Sequence, residues 1–290
     1  MNFIEVLKAI LFGIIEGITE WLPVSSTGHM IILESLFDVK NTYSEAFWSL
    51  FLVVIQLGAI IAVVICFFNK LNPFGGKSLI DPSRRKNNEE KKSIWLLWAK
   101  VIVACVPAAV VGLVLDDILN EYLYNSITVS ITLIVYGVLF IVLEIWNKKR
   151  TFKVTNSSAL SWKDAILIGC FQLLALIPGT SRSGVTILGA MLLLCNREVA
   201  SEFSFFLSIP VMLGASLLKV VKFFINGNPI QTQELLFLGI GCVVAFAVSM
   251  LVIKLLMSFI KKHDFKAFGY YRIALGIVLI ILLATGVMVA

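Results

Sequence analysis

Pro23-Val24-Ser25-Ser26-Thr27-Gly28-His29 and Pro178-Gly179-Thr180-Ser181-Arg182-Ser183-Gly184 each fall in the middle of a long apolar stretch, residues 3–37 and 160–196. Proline stops a helix, and small hydroxyl residues and glycine start or punctuate the next one. Each stretch therefore reads as helix, break, helix. Neither half is long enough to cross a bilayer, which takes roughly 20 residues. The two stretches are thus expected to be re-entrant helical hairpins rather than spans. Outward from them, segments long enough to cross lie at 47–68, 94–115, 126–147, 203–225, 234–260 and 268–290.

The composition agrees. AVILMFWYC residues make up 59% of the 290 and charged residues only 14%, with a mean hydropathy of +0.95. Globular proteins carry about 25% charged residues, and a soluble domain could not hide this much apolar side chain. The same arithmetic excludes a nucleic-acid binder, a disulfide-stapled secreted module and a disordered chain. Cys66, Cys105, Cys170, Cys195 and Cys242 stand singly in apolar surroundings, without metal-ligand spacing, and read as small hydrophobes. Glu5 and Lys8 interrupt the first apolar residues, so the N-terminus reads as mature structure rather than a signal peptide.

Basic residues mark cytoplasmic loops. The 69–93 loop carries Lys70, Lys77, Arg84, Arg85, Lys86, Lys91 and Lys92 against three acids, and 148–163 and Lys261-Lys262-His263 are basic too. The 116–125 link holds Asp116, Asp117 and Glu121 and no base. Counting crossings from these loops makes 160–202 a hairpin that enters from the cytoplasm and 1–45 one that enters from outside. Lys219 and Lys222, at the outer end of their span, run against the bias.

The halves also resemble each other. Pro23 and Ser26 stand 155 residues before Pro178 and Ser181, while Gly13-x-x-Glu16 precedes Gly169-x-x-Gln172 by 156, as Leu57-Gly58-Ala59 does Leu213-Gly214-Ala215. Similar halves entering from opposite faces make an inverted-topology repeat, with a site expected at midplane where the broken segments meet. The expectation is an all-α integral membrane protein: one membrane domain, 1–290, with about six transmembrane helices and two re-entrant hairpins. Repeat 1 covers about 1–147 and repeat 2 about 160–290.

Ionisable groups at membrane depth are costly and mark function. Glu16 and Glu20 share a helix face, and Ser25, Ser26, Thr27 and His29 follow directly. Carboxylates hold a divalent cation or accept a proton, and histidine acts as acid, base or nucleophile. The second break has the opposite sign. Its backbone N–H groups over Gly179, Thr180, Ser181 and Ser183 open a helix, which favours an anion, and Arg182 adds a planar fork suited to phosphate oxygens. The plainer reading of Arg182 is that it neutralises Glu16 or Glu20, which does not exclude phosphate binding. Arg272, at the start of the last span, is either a second phosphate contact or an interfacial anchor; Gln56 reads as a helix-packing hydrogen bonder. Together the breaks describe a site that handles phosphate on a lipid.

Glu16-Gly-Ile-Thr-Glu20-Trp-Leu-Pro-Val-Ser-Ser-Thr-Gly-His29 and Pro178-Gly-Thr-Ser-Arg-Ser-Gly184 resemble the two signatures of the undecaprenyl-diphosphate phosphatase family (UppP/BacA, the bacitracin resistance proteins). The resemblance extends over essentially the whole chain, including the late Tyr-Arg-Ile element. It implies a membrane enzyme that hydrolyses undecaprenyl diphosphate to undecaprenyl phosphate and inorganic phosphate, recycling the carrier for cell-wall synthesis. It also implies a pocket on the outer side of the bacterial cytoplasmic membrane. The family's glutamate pair falls on Glu16 and Glu20, its motif serine and threonine on Ser26 and Thr27, and its histidine on His29. The second motif's serine and arginine fall on Ser181 and Arg182, and the late arginine on Arg272.

The expected chemistry has Arg182 and the loop N–H groups binding the diphosphate, with Ser26, His29 or a water activated by His29 attacking the terminal phosphorus. Glu20, with Glu16, orients His29 or holds a divalent ion, magnesium or calcium. The expected partners are the polyprenyl diphosphate and the bilayer, with no nucleic acid; the sequence leaves oligomeric state open, a homodimer included. The competing class is a polyprenyl-phosphate flippase using the same anion site. Such a protein has less use for Ser26 and His29 beside two acids.

Overall fold

The computed structural model describes residues 1–37, 39–74 and 86–286. Lys77, Arg84 and Arg85 of the basic loop lie outside the described residues, as do the side chains of Asp116, Asp117 and Glu121 and the last four residues of the 268–290 span. The helices are α1 (Phe3–Thr19), α2 (Ser26–Phe37), α3 (Val39–Thr42), α4 (Glu45–Val54), α5 (Gln56–Cys66), α6 (Phe68–Leu71), α7 (Asn88–Leu123), α8 (Ser126–Asn147), α9 (Trp162–Gln172), α10 (Arg182–Leu192), α11 (Arg197–Ile225), α12 (Thr232–Ile260) and α13 (Lys266–Ala284). Two 3₁₀ turns, Ser157–Ala159 and Leu173–Leu176, complete them.

Local sequence sets the starts. Asn2 with Glu5, Asn87 with Glu90 and Ser161 with Asp164 form reciprocal capping boxes ahead of α1, α7 and α9. Among the described residues six helices are long and apolar enough to cross a membrane: Glu45–Cys66, Asn88–Leu115, Ser126–Asn147, Arg197–Ile225, Thr232–Ile260 and Lys266–Ala284. All six expected spans are present. The first is divided at Ile55 into α4 and α5, although Ile55 keeps helical dihedrals, and there Gln56 Nε2 donates to the Leu52 carbonyl (3.4 Å). Gln56 is therefore bonded along its own chain, not across helices as the sequence suggested.

Val110, Leu113, Ile131, Val142, Val243, Leu251 and Leu255 point outward and are more than half exposed. The bundle's outer surface is apolar, as lipid requires. The protein is a multi-pass membrane protein. Without a hydrophobic drive between helices, close approach of backbones holds such bundles together. A Cβ on Gly58 would sit 2.1 Å from the Cys242 carbonyl oxygen, so α5 lies directly on α12. Gly137 and Gly269 face one another, each with a Cβ position 2.7 Å from the other's carbonyl oxygen, bringing α8 onto α13.

The basic connections converge on one end. Arg197 grips the buried Glu144 through Nε (2.8 Å) and Nη2 (2.6 Å), and the Phe265 N–H donates to the same carboxylate at 2.9 Å. Lys70 and Ser157 both bond Glu202 (2.5 and 2.8 Å). The ends of α6, α8 and α12 therefore meet the start of α11. The chain on either side of α9 and α10 also joins at this end, by Lys153 N–H to Leu194 O (2.9 Å) and Asn196 N–H to Val154 O (2.9 Å). At α1 and α2, Lys8 Nζ donates to the Phe37 carbonyl at 2.8 Å, and Phe12 of α1 packs on Phe237 near the start of α12, away from the basic end.

Gly137→Ala is expected to lower the apparent melting temperature in detergent, since overpacking a tight contact costs about 1–3 kcal/mol. Gly239→Ala, where a Cβ meets nothing within 4 Å, gains helix propensity of up to about 1 kcal/mol. Equal melting curves for the two variants would contradict the crossing.

Candidate active site

Glu16 and Glu20 stand one turn apart where α1 ends, both buried. The chain then reverses through residues 21–25, and Ser25 takes a left-handed φ of 72° before α2 begins at Ser26. Ser26, Thr27 and His29 are thus in the first turn of α2, beyond the break. The second break repeats the device. Gly179 has φ 85°, Ser181 has φ 70°, and α10 begins at Arg182. Ser25 Oγ accepts from Gly28 N–H (3.4 Å) and Ser181 Oγ from Gly184 N–H (3.1 Å). A left-handed serine costs about 1–2 kcal/mol, which these caps offset. The matching serines are 156 residues apart, one residue away from the pairing the prolines suggest.

Glu20 joins the two breaks. Its Oε1 accepts from Arg182 Nη2 at 3.0 Å and its Oε2 from the Ser26 hydroxyl at 3.1 Å. Its backbone carbonyl accepts from Ser183 Oγ (3.1 Å), which lies 3.1 Å from Ser181 Oγ. Arg182 is further held by Nη1 on the Ser204 carbonyl of α11 (2.8 Å). The buried polar atoms without a partner among the described residues include Arg182 Nε and Glu16 Oε1. A buried pair is retained only where each charge meets its partner, so the remaining donor and acceptor are open to a ligand.

His29 is not oriented by Glu20, contrary to the sequence expectation. Its Nδ1 lies 2.7 Å from the Ser25 carbonyl and its Nε2 2.7 Å from Tyr271 Oη. Arg272 is fully buried, which removes the interfacial-anchor reading. Its guanidinium donates to the carbonyls of Pro23 (3.2 Å) and Gly179 (2.8 Å), one in each break, and to Leu133 (3.4 Å) and Thr132 (3.5 Å) of α8. Thr180 turns away: its hydroxyl donates to the Leu174 and Ile177 carbonyls of its own turn (2.9 and 2.8 Å). Thr27 is half-buried beside Ser26. A Cβ on Gly179 would meet Thr132 Oγ1 at 2.2 Å, so only glycine lets this loop lie on α8.

A family model for the bacitracin resistance protein BacA matches residues 9–278. The chain belongs to the BacA family. It is 55% identical to an undecaprenyl-diphosphatase of Enterococcus faecalis over 280 residues, 97% of this chain and 98% of that protein. The undecaprenyl-diphosphatase of Acetivibrio thermocellus is 54% identical (96% of this chain, 97% of the relative), and that of Lactococcus lactis subsp. lactis 50% (96% of each).

In this BacA-family chain the residues that sequence reasoning missed are Tyr271 and the carbonyl acceptors of Thr132, Leu133 and Ser204. Backbone carbonyls leave no trace in a sequence; Tyr271 had one, its place beside Arg272. Arg272→Met is expected to destabilise the protein by about 3 kcal/mol or more, because each stranded buried carbonyl costs about 1–3 kcal/mol. Limited proteolysis should then open both breaks. Cleavage at one break alone would contradict the bridge.

Proposed function

We propose that the chain is an enzyme of the bacterial cytoplasmic membrane that hydrolyses undecaprenyl diphosphate to undecaprenyl phosphate and inorganic phosphate, recycling the lipid carrier for cell-wall synthesis and conferring bacitracin resistance. The carrying observation is the hydroxyl–carboxylate–guanidinium connection of Ser26, Glu20 and Arg182 across the two breaks. A serine bonded to a carboxylate is a nucleophile beside its base, and Arg182 brings a fork with a free N–H. The names of the relatives supply the substrate. A flippase needs the anion site but gives the Ser26–Glu20 bond no task.

In the first step Ser26 Oγ bonds to the terminal phosphorus, its proton passes to Glu20 Oε2, and the anhydride P–O bond breaks to release undecaprenyl phosphate. A protonated Glu20 holds Arg182 less firmly, so the guanidinium charge becomes available to the phosphoryl oxygens as charge develops on them. Water then attacks the phosphoserine and gives its proton to His29 Nε2. The Glu20 proton returns to Ser26 Oγ as the P–O bond to serine breaks, His29 gives the water proton up to the departing phosphate, and phosphate leaves. Gly179, Ser181, Ser183 and Ser25 shape the two loops, and Arg272 fixes them. Among the described residues no group of three or more His, Cys, Asp and Glu could hold a metal. A hard cation of the magnesium or calcium kind still fits, because such ions take one or two carboxylates and complete their shell with water and substrate phosphate. Glu16, with its free oxygen, and Glu20 would hold it, and it would neutralise diphosphate charge.

The same reading makes the broken stretches re-entrant hairpins of an inverted repeat, about 1–147 and 160–290, within a single membrane domain. The twin left-handed serines support it, and so does the packing of α1 on α12 matched by α9 on α7. With the basic end cytoplasmic, the α1–α2 hairpin opens on the opposite face, so the pocket faces the outside.

The test is phosphate release from polyprenyl diphosphate by purified protein in detergent, where sidedness is lost and transport cannot mimic turnover. Arg182→Ala should lower kcat at least about 10²-fold. Ser26→Ala should abolish turnover, and His29→Ala should accumulate a phosphoserine labelled from the terminal phosphate. No release by monodisperse wild type across a magnesium and calcium series would overturn the hydrolase. Turnover that survives Ser26→Ala would assign the attack to water.

A further inference from the structure

α13 sends two consecutive side chains to the site. Arg272 turns inward onto the loop carbonyls, while Tyr271, 47% exposed, lies along His29 with the two rings 6° from parallel and their centroids 5.6 Å apart. The proton positions follow from the partners. The Ser25 carbonyl can only accept, so Nδ1 of His29 carries the hydrogen. In a neutral imidazole Nε2 is then a bare lone pair, and the Tyr271 hydroxyl, 2.7 Å away, must donate to it. Nε2 is the atom that takes the water proton in the second step.

We propose that Tyr271 is a positioning residue for this reaction. In the resting enzyme its hydroxyl holds the place that the attacking water takes over in the second step, and so keeps the imidazole in the tautomer and rotation whose basic nitrogen faces that place. The inference rests on the diphosphatase reading. It separates Tyr271 from its neighbour Tyr270, which is 61% exposed and makes the natural control. With the hydroxyl removed, the ring keeps its stack and its Nδ1 bond but loses the second point that fixes its rotation.

The chain has two histidines, His29 and His263, so protein labelled with ¹⁵N-histidine gives a simple spectrum in which His263→Gln assigns the second residue. Wild type should show His29 protonated at Nδ1, with an Nε2 resonance displaced by an accepted hydrogen bond. Tyr271→Phe should move Nε2 toward the uncapped position and keep the Nδ1–H signal. It should lower kcat about tenfold, the worth of one hydrogen bond, with KM changed less than about twofold. Tyr270→Phe should change neither. An active enzyme whose Nε2 resonance and kcat ignore Tyr271→Phe would overturn the proposal alone, as would a wild-type Nε2–H tautomer or a faster Tyr271→Phe. The resonances are read without turnover. Absence of phosphate release together with a Tyr271-dependent Nε2 shift would instead overturn the diphosphatase reading.

Discussion

A backbone carbonyl released from a helix in the middle of an apolar bundle has no water to turn to and must find a donor inside the protein. Two breaks release such groups here, and one guanidinium answers both. Arg272 reaches Pro23 in the first break and Gly179 in the second, while two carbonyls of α8 complete its shell. The Gly137–Gly269 contact makes that reach possible, because α13 can stand close enough to α8 only where neither carries a side chain. With the loops fixed, Ser26 and Arg182, each the first residue of its helix, meet through Glu20.

The division of charge follows from the same constraint. Carboxylate and guanidinium are buried as a pair, so neither pays for desolvation alone. The pair is completed by a hydroxyl and by the Ser204 carbonyl. Toward the basic end of the bundle Glu144 and Glu202 are also buried, bonded to Arg197, Phe265, Lys70 and Ser157. Glu144 and Glu202 have their charge matched, whereas Glu16 Oε1 and Arg182 Nε are left open.

Much of this was legible in the sequence, for identifiable reasons. A span is a property of its own residues, so hydropathy finds all six, and Pro, Gly and Ser mark the breaks because they act on the local backbone. The complementary signs of Glu20 and Arg182 foretold a meeting across 162 positions. Runs of serine align equally well at 155 or 156, and a backbone property invisible in the sequence, the positive φ, is shared by Ser25 and Ser181. His29 was placed with the acids by proximity in sequence, but it stands one helical turn beyond Ser25, and its direction depends on a tyrosine 242 residues away.

The bond between Glu20 and Arg182 also constrains how such a chain can change over generations. Replacing either residue strands the other charge in a dry interior, which is far costlier than replacing both together. Single steps away from the pair are therefore blocked. A drift in one half of the molecule has to wait for its counterpart in the other, so the two halves are held to a common history although more than half the chain lies between them.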